Sequence, residues 1–239
     1  MLWRKKSDML QLKADMHSHI LPGIDDGAPT FEHSKGMILA LQQAGFAKLI
    51  TTPHIHPKYQ NTEEGIRNGL KKLREELSDQ GIQVHLEAAA EYFVDHQFIE
   101  KIDSNEPLLT FGDNYVLIEC SFTVKPFFFE SVIYKLKELG YNPVFAHPER
   151  YKFLEGDIGW LKNLKDTGVL YQVTLGSIAG YYGKTSRKLG IELINSRMVD
   201  FLASDLHRVS QMEFLEKGLS YKGVKNLIRS GALLNDTLI

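Results

Sequence analysis

Short runs of apolar residues recur along the chain at strand length, and each gives way to a turn and then to a stretch of helical period. Seven runs read as strands: Leu12 to His17, Lys48 to Thr52, Ile82 to Ala90, Tyr115 to Glu119, Pro143 to Ala146, Leu170 to Thr174 and Val199 to Ser204. Between them the apolar positions change spacing. After Thr30, Met37, Leu41 and Ala44 share one side of a predicted helix that Gly45 closes. After Thr62, Ile66, Leu70, Leu73 and Leu77 form the next stripe, with Gly81 in place for a left-handed cap. Val132, Leu136 and Leu139 before Gly140, then Trp160, Leu161 and Leu164 before Gly168, then Leu189 with Leu193, continue the alternation, and Asn195 to Ile239 can end in a helical pair.

Strand and helix in alternation imply parallel pairing, because each crossover helix returns the chain to start the next strand in the same direction. Seven such units and no glycine-rich dinucleotide fingerprint after the first strand favour a seven-stranded (β/α)7 barrel over an open doubly wound sheet. The 239 residues suit one domain, residues 1–239, with 1–11 as a loose basic arm rather than a secretory signal. No apolar run approaches the roughly 20 residues that cross a bilayer. With 28 Lys+Arg against 30 Asp+Glu there is no global basic field for nucleic acid or an anionic membrane, so an anionic ligand needs a local site. The single cysteine, Cys120, excludes an internal disulfide and points to a reducing, cytoplasmic setting, with the thiol as core packing.

The histidines and carboxylates sit at the carboxyl ends of the predicted strands, which in a parallel barrel surround one mouth. Asp15-Met16-His17-Ser18-His19 ends the first, Thr52-Pro53-His54 the second, Ala90-Glu91 the third and Ile118-Glu119 the fourth. Ala146-His147-Pro148-Glu149-Arg150 ends the fifth and Ser204-Asp205-Leu206-His207 the seventh. His17 and His19 leave one face of an extended segment with α-carbons about 6.6 Å apart, close enough to grip one ion, and Asp205 with His207 repeats the spacing. Buried charges without partners are costly, so this convergence points to metal. His33, His56, His85 and His96 read as structural, His56 being nearest the mouth. Tyr59, Tyr181 and Tyr182 either rim a pocket or pack on helix ends, and Lys184 and Arg187 read as solvated loop charges.

These motifs resemble the PHP (polymerase and histidinol phosphatase) superfamily, and within it the metal-dependent protein-tyrosine phosphatases encoded with bacterial capsule and exopolysaccharide machinery. The resemblance runs from about Lys13 to His207. Its carriers are His17-Ser18-His19-Ile20-Leu21-Pro22 with Asp25-Asp26-Gly27-Ala28, Thr51-Thr52-Pro53-His54, Leu117-Ile118-Glu119, Ala146-His147-Pro148-Glu149-Arg150, Gly176-Ser177-Ile178-Ala179-Gly180 with Gly183-Lys184, and Ala203-Ser204-Asp205-Leu206-His207. It implies a distorted seven-stranded barrel holding three divalent ions, most often Mn2+, with Fe or Zn as alternatives. It further implies one ion among His17, His19, Glu91 and Asp205, a second reached by Glu91 with Glu119 and His147, and a third held by Asp26, His54 and His207. Arg150 matches an arginine that contacts phosphate. Arg208 stands directly after the last histidine, where the family often has asparagine, and Met212 takes the place of a later arginine, so Arg208 is the candidate for a second phosphate contact. Glu119-Cys120-Ser121-Phe122 lacks the family's usual proline.

Three divalent ions against the carboxylates of Asp26, Glu91, Glu119 and Asp205 leave about two positive charges, which suits a dianionic phosphomonoester. The implied activity is hydrolysis of phosphotyrosine on a bacterial tyrosine kinase tail by a metal-bridging hydroxide, with membrane association only through that partner. A small-molecule phosphatase such as one for histidinol phosphate shares the metal set, and a non-catalytic metal-stabilised scaffold is the non-enzymatic alternative. An amidohydrolase-like site expects a bridging lysine where Glu119 stands. A cysteine phosphatase needs arginine at the distance from Cys120 where Pro126 lies, and an aspartyl-phosphate enzyme needs Asp-x-Asp, not the adjacent Asp25 and Asp26.

Overall fold

The computed structural model describes residues 12–154 and 158–239; the predicted N-terminal arm lies outside them. Its strands are β1 (Ala14–Asp15), β2 (Lys48–Thr51), β3 (His54–Ile55), β4 (His85–Ala88), β5 (Glu91–Phe93), β6 (Tyr115–Glu119), β7 (Asn142–Ala146), β8 (Leu170–Thr174) and β9 (Phe201–Ala203). Every ladder is parallel. They form a three-stranded sheet ordered β1-β2-β4 and a six-stranded sheet ordered β3-β5-β6-β7-β8-β9.

The two sheets arise because two predicted strands are broken. Pro53 follows Thr52 and has no N–H to give a ladder, so the second run ends as β2 and the chain resumes beyond its predicted end as β3. The third run, expected over Ile82 to Ala90, keeps only His85–Ala88 as β4, and a further strand, β5, opens at Glu91 just past its predicted end. Backbone bonds carry the pairing across the gap, from Ala89 N to Thr51 O (2.9 Å) and from Glu91 N to Pro53 O (3.2 Å).

The helices are α1 (Phe31–Ala44), α2 (Glu63–Asp79), α3 (His96–Asp103), α4 (Phe129–Glu138), α5 (Ile158–Asp166), α6 (Leu175–Ala179), α7 (Lys184–Asn195), α8 (Met212–Ser220) and α9 (Lys222–Arg229). Gly45 ends α1 in the left-handed conformation, φ 107°, and the Thr62 side chain caps α2 by accepting from Gly65 N, as their chemistry predicts. Two helices lie beyond the apolar pattern. α3 is a short helix capped by Asp95, whose carboxylate accepts from Phe98 N, and α6 is a single turn closed by Gly180. Among the described residues no helix is long and apolar enough to cross a membrane.

Alternation along the strands builds two apolar clusters. In β6, Val116 and Ile118 join the larger one while Tyr115 and Leu117 join the smaller; Phe145 opposes Val144 and Ala146, and Leu202 opposes Phe201 and Ala203 in the same way. The phase of the smaller cluster, extended to the strand ends, carries Ala89 to Glu91, Leu117 to Glu119 and Ala203 to Asp205. The polar residues therefore cap an apolar face at the carboxyl ends of the strands.

A candidate metal centre

Each ligand-type side chain is placed by its own stretch of backbone. The register pairs His54 with Glu91 and Phe93 with Glu119, which brings the second, third and fourth predicted strand ends side by side. The first and last ends are joined by Asp205 N to His17 O (2.8 Å) and His19 N to Leu206 O (2.9 Å). Below them the buried Asp15 carboxylate accepts from Ser204 N (2.8 Å) and Ser204 Oγ (2.6 Å). Burial holds the Asp15 carboxyl up, at about 6, against those bonds. His147 would face the larger cluster if β7 simply continued; its φ of 35° breaks the alternation, and Asp205 is likewise left-handed at 49°. Gly27 lies so close to His19 that a Cβ there would stand 2.1 Å from His19 O, and this contact seats the Asp25-Asp26 loop on the first strand.

The result is four overlapping groups whose ligand atoms lie within 4.8 Å of one another: His17, His19 and Asp205; His17, Glu91 and His147; His54, Glu91 and Glu119; and His19, Asp26, His54 and His207. All nine expected ligands are therefore gathered at one place. Glu91 is central, with Oε2 3.2 Å from His17 Nε2 and 3.1 Å from His54 Nδ1, and Oε1 2.9 Å from His147 Nε2. The grouping is more shared than the sequence suggests. His54 turns Nε2 to Asp26 (3.4 Å) and Nδ1 to Glu119 (3.0 Å), and His19 belongs to the outer group as well as the inner one. His17 and Glu91 are wholly buried, whereas the Asp26 side chain is 50 % exposed, so the outer group opens to solvent.

The hydrogen bonds fit cations at this position. His147 N donates to Gln172 Oε1 (3.2 Å), so that atom is an acceptor and the proton in its bond to His17 Nδ1 (2.9 Å) belongs to the imidazole. Asp25 Oδ2 likewise accepts from His19 Nδ1 (2.8 Å) and His54 N (3.2 Å), and Asp205 O accepts from His207 Nδ1 (3.0 Å). In the neutral rings, Nε2 is then a lone pair. Those of His17 and His19 face each other at 3.3 Å, with Glu91 Oε2 and Asp205 Oδ1 within 3.6 Å. Lone pairs aimed together need a positive charge between them. His54 Nδ1 is also at hydrogen-bond distance from two carboxylates yet has no hydrogen bond, its direction being wrong for one, as for ligands arranged round a common point.

Without ions, protons take that role. Burial opposes a charge on His19, but the charge and hydrogen bond of Asp25 together with the Glu91 carboxylate outweigh it and lift the imidazole to about 10. Burial and the neighbouring Arg150 guanidinium push His147 down to about 4. Burial would raise Asp205, but His17 and Arg150 hold it well below the ordinary carboxylate range.

A profile of the family described as capsular polysaccharide synthesis, CpsB/CapC, matches residues 13–217. The chain belongs to the CpsB/CapC family. It is 29% identical to the putative tyrosine-protein phosphatase CapC of Staphylococcus aureus, over 92% of this chain and 90% of that one. It is 33% identical to the tyrosine-protein phosphatase YwqE of Bacillus subtilis (strain 168), over 84% and 79%. A chain from the crystal structures of YwqE from Bacillus subtilis and CpsB from Streptococcus pneumoniae, described as unique metal-dependent tyrosine phosphatases, superposes with a TM-score of 0.81 at 30% identity, covering 92% and 93%.

In this CpsB/CapC chain Arg150 reaches the cluster, with Nη1 2.5 Å from Asp205 Oδ2. Arg208 does not. It is exposed beside His207, on a hollow it shares with Gly27, His33 and Met37, and pairs with no carboxylate among the described residues. His56 stacks edge-on against Phe93 at 4.2 Å with its ring centre 6.3 Å from that of His54, His33 bonds Thr30, His85 bonds Glu87 and His96 lies on Phe128; none of the four joins a ligand group. Cys120 is buried, its N–H given to Tyr151 OH, and burial pushes its thiol up, which suits packing and not nucleophilic attack.

Asp25 and Gln172 escape a reading based on strand ends. Neither is among the nine, yet each fixes the protonation of a histidine in the cluster. Asp25 was legible as a neighbour of Asp26; Gln172, a lone glutamine inside an apolar strand, carries only the weak signal of a polar residue on a buried face.

Proposed function

We propose that this chain is a metal-dependent protein-tyrosine phosphatase that removes phosphate from phosphotyrosine in the cytoplasm, acting on the tail of a bacterial tyrosine kinase in capsular polysaccharide synthesis. The reading includes one domain and a distorted seven-stranded barrel. Counting the broken pairs β2/β3 and β4/β5 as single strands leaves seven, and the bonds from Asp205 N to His17 O and from His19 N to Leu206 O support closure between first and last.

The observation that carries the proposal is the meeting of His17 and His19 lone pairs with Glu91 and Asp205 oxygens beside the Arg150 guanidinium. His17, His19, Asp26, His54, Glu91, Glu119, His147, Asp205 and His207 would hold three divalent ions, Mn2+ by preference. Such ions supply positive charge to phosphate oxygens and make water acidic enough to attack at neutral pH. Gln172 and Asp25 keep His17 and His19 in the tautomer that presents Nε2. Arg150, anchored on Asp205, offers a planar fork suited to phosphate oxygens. Tyrosine phenolate, with a pKa near 10, leaves without a strong acid. Arg208 is assigned to incoming phosphate at the open end, where it stands next to His207.

The test is elemental analysis of purified protein, with turnover of a phosphotyrosine peptide and of histidinol phosphate measured with and without chelator. The proposal expects bound divalent metal and chelator-sensitive release of phosphate from the peptide. Preference for histidinol phosphate, or full activity in metal-free protein, overturns it.

A further inference from the structure

The two oxygens of Asp205 have different neighbours. Oδ1 faces His17 Nε2 (3.4 Å) and His19 Nε2 (3.6 Å), while Oδ2 accepts from Arg150 Nη1 (2.5 Å) and from Tyr182 OH (3.2 Å). Tyr182 comes from the short turn between α6 and α7, whose flanking residues Gly180 and Gly183 both have positive φ. The same tyrosine has a second contact with the site. The Arg150 guanidinium lies 4.0 Å from the centre of its ring, with Phe122 on the arginine at 4.8 Å. That ring face is thus occupied by a cation and cannot also stack on a substrate ring, so Tyr182 works through its neighbours.

The geometry matters because Arg150 has two duties. A phosphate that draws the guanidinium toward itself loosens the hold of Arg150 on Asp205, and the carboxylate is then free to rotate unless a second donor keeps Oδ2. The Tyr182 hydroxyl is that donor. The ring, for its part, fixes the plane in which the guanidinium can meet phosphate.

We propose that Tyr182 is a positioning residue with two separable roles: its hydroxyl aims Asp205 at the cation, and its ring holds Arg150 for phosphate. The second role rests on the phosphatase reading; the first stands without it.

The experiment uses the full chain and Mn2+ as the probe. Calorimetric titration of chelator-stripped protein measures metal affinity, and inhibition of aryl phosphate hydrolysis by inorganic phosphate, at saturating Mn2+, measures the Arg150 side. Tyr182→Phe keeps the ring and loses the hydroxyl, so Mn2+ affinity falls roughly tenfold while the phosphate inhibition constant holds within about twofold. Tyr182→Leu loses both, so phosphate inhibition weakens by about threefold or more in addition. Parental Mn2+ affinity in Tyr182→Phe overturns the hydroxyl role, and parental phosphate inhibition in Tyr182→Leu overturns the ring role. If Tyr182→Leu does not fold, Tyr182→Phe still decides the first role, and Tyr182→Met tests the second. A parent that binds Mn2+ but hydrolyses no aryl phosphate refutes the phosphatase reading and the ring role with it, leaving the hydroxyl role to the titration.

Discussion

Replacing Gln172 by leucine removes polar atoms from the centre of the molecule with little change of volume. Gln172 is fully buried, and its Oε1 takes two protons, from His17 Nδ1 at 2.9 Å and from His147 N at 3.2 Å. If both donors were left unpaired, each would cost about 1–3 kcal/mol. A neutral His17 has an escape. It can move its proton to Nε2, where Glu91 Oε2 at 3.2 Å and Asp205 Oδ1 at 3.4 Å accept it. With His17 neutral, metal-free Gln172→Leu should then lose the His147 share and the bond that Gln172 Nε2 gives to the buried Thr174 Oγ1 (3.2 Å), about 1–3 kcal/mol of unfolding free energy each. The proton now points at the place a cation needs. Affinity for Mn2+ should therefore fall roughly 10- to 100-fold, the usual effect of losing a partner behind a ligand histidine. Urea unfolding in chelator measures the first quantity, calorimetric titration the second, and ring-nitrogen NMR the tautomer. A variant that keeps the Nδ1–H tautomer, or binds Mn2+ as tightly as the parent, refutes the reasoning.

Gly27→Ala forces a Cβ to within 2.1 Å of His19 O, so the Asp25-Asp26 loop must move; a destabilisation of about 1–3 kcal/mol and loss of the outermost metal equivalent are expected by unfolding and elemental analysis. Arg150→Ala should keep metal content yet lose roughly 100-fold or more in kcat on aryl phosphate, and parental turnover would remove Arg150 from the mechanism. The metal-free protein should lose stability as pH rises: His19, raised from 6.5 to about 10, stabilises fully below 6.5 and loses that contribution as pH climbs through 10, which unfolding curves in chelator will show. The same proton must leave when a cation arrives, so Mn2+ affinity should increase with pH over that window, and activity should fall toward acid pH.

The amino-acid order alone determined the repeating strand and helix, most strand positions and eight of the nine ligand-type side chains, because alternation and strand-end placement are local properties; Asp26, in the loop after the first strand, came only through the motif resemblance. Leu170–Thr174 and Tyr115–Glu119 fall where the pattern puts them. What the pattern missed was local in a different way. Pro53 interrupts a ladder, and the Ala89-Ala90 step separates β4 from β5, effects that hydrophobic spacing averages over. The motif order was also specific enough to point to the family.

Tertiary structure decided which atoms meet. His54 faces two groups at once, and Arg150 comes to lie on Asp205 across 55 residues of chain while Arg208, beside the last histidine in sequence, stays at the surface. Gln172 and Asp25 matter only through partners, one of them 155 residues away, and no spacing rule contains such a distance. Residue type says that an imidazole can bind an ion. Which of its nitrogens carries the proton, and therefore whether it does so here, is set by an acceptor that only the folded chain brings near.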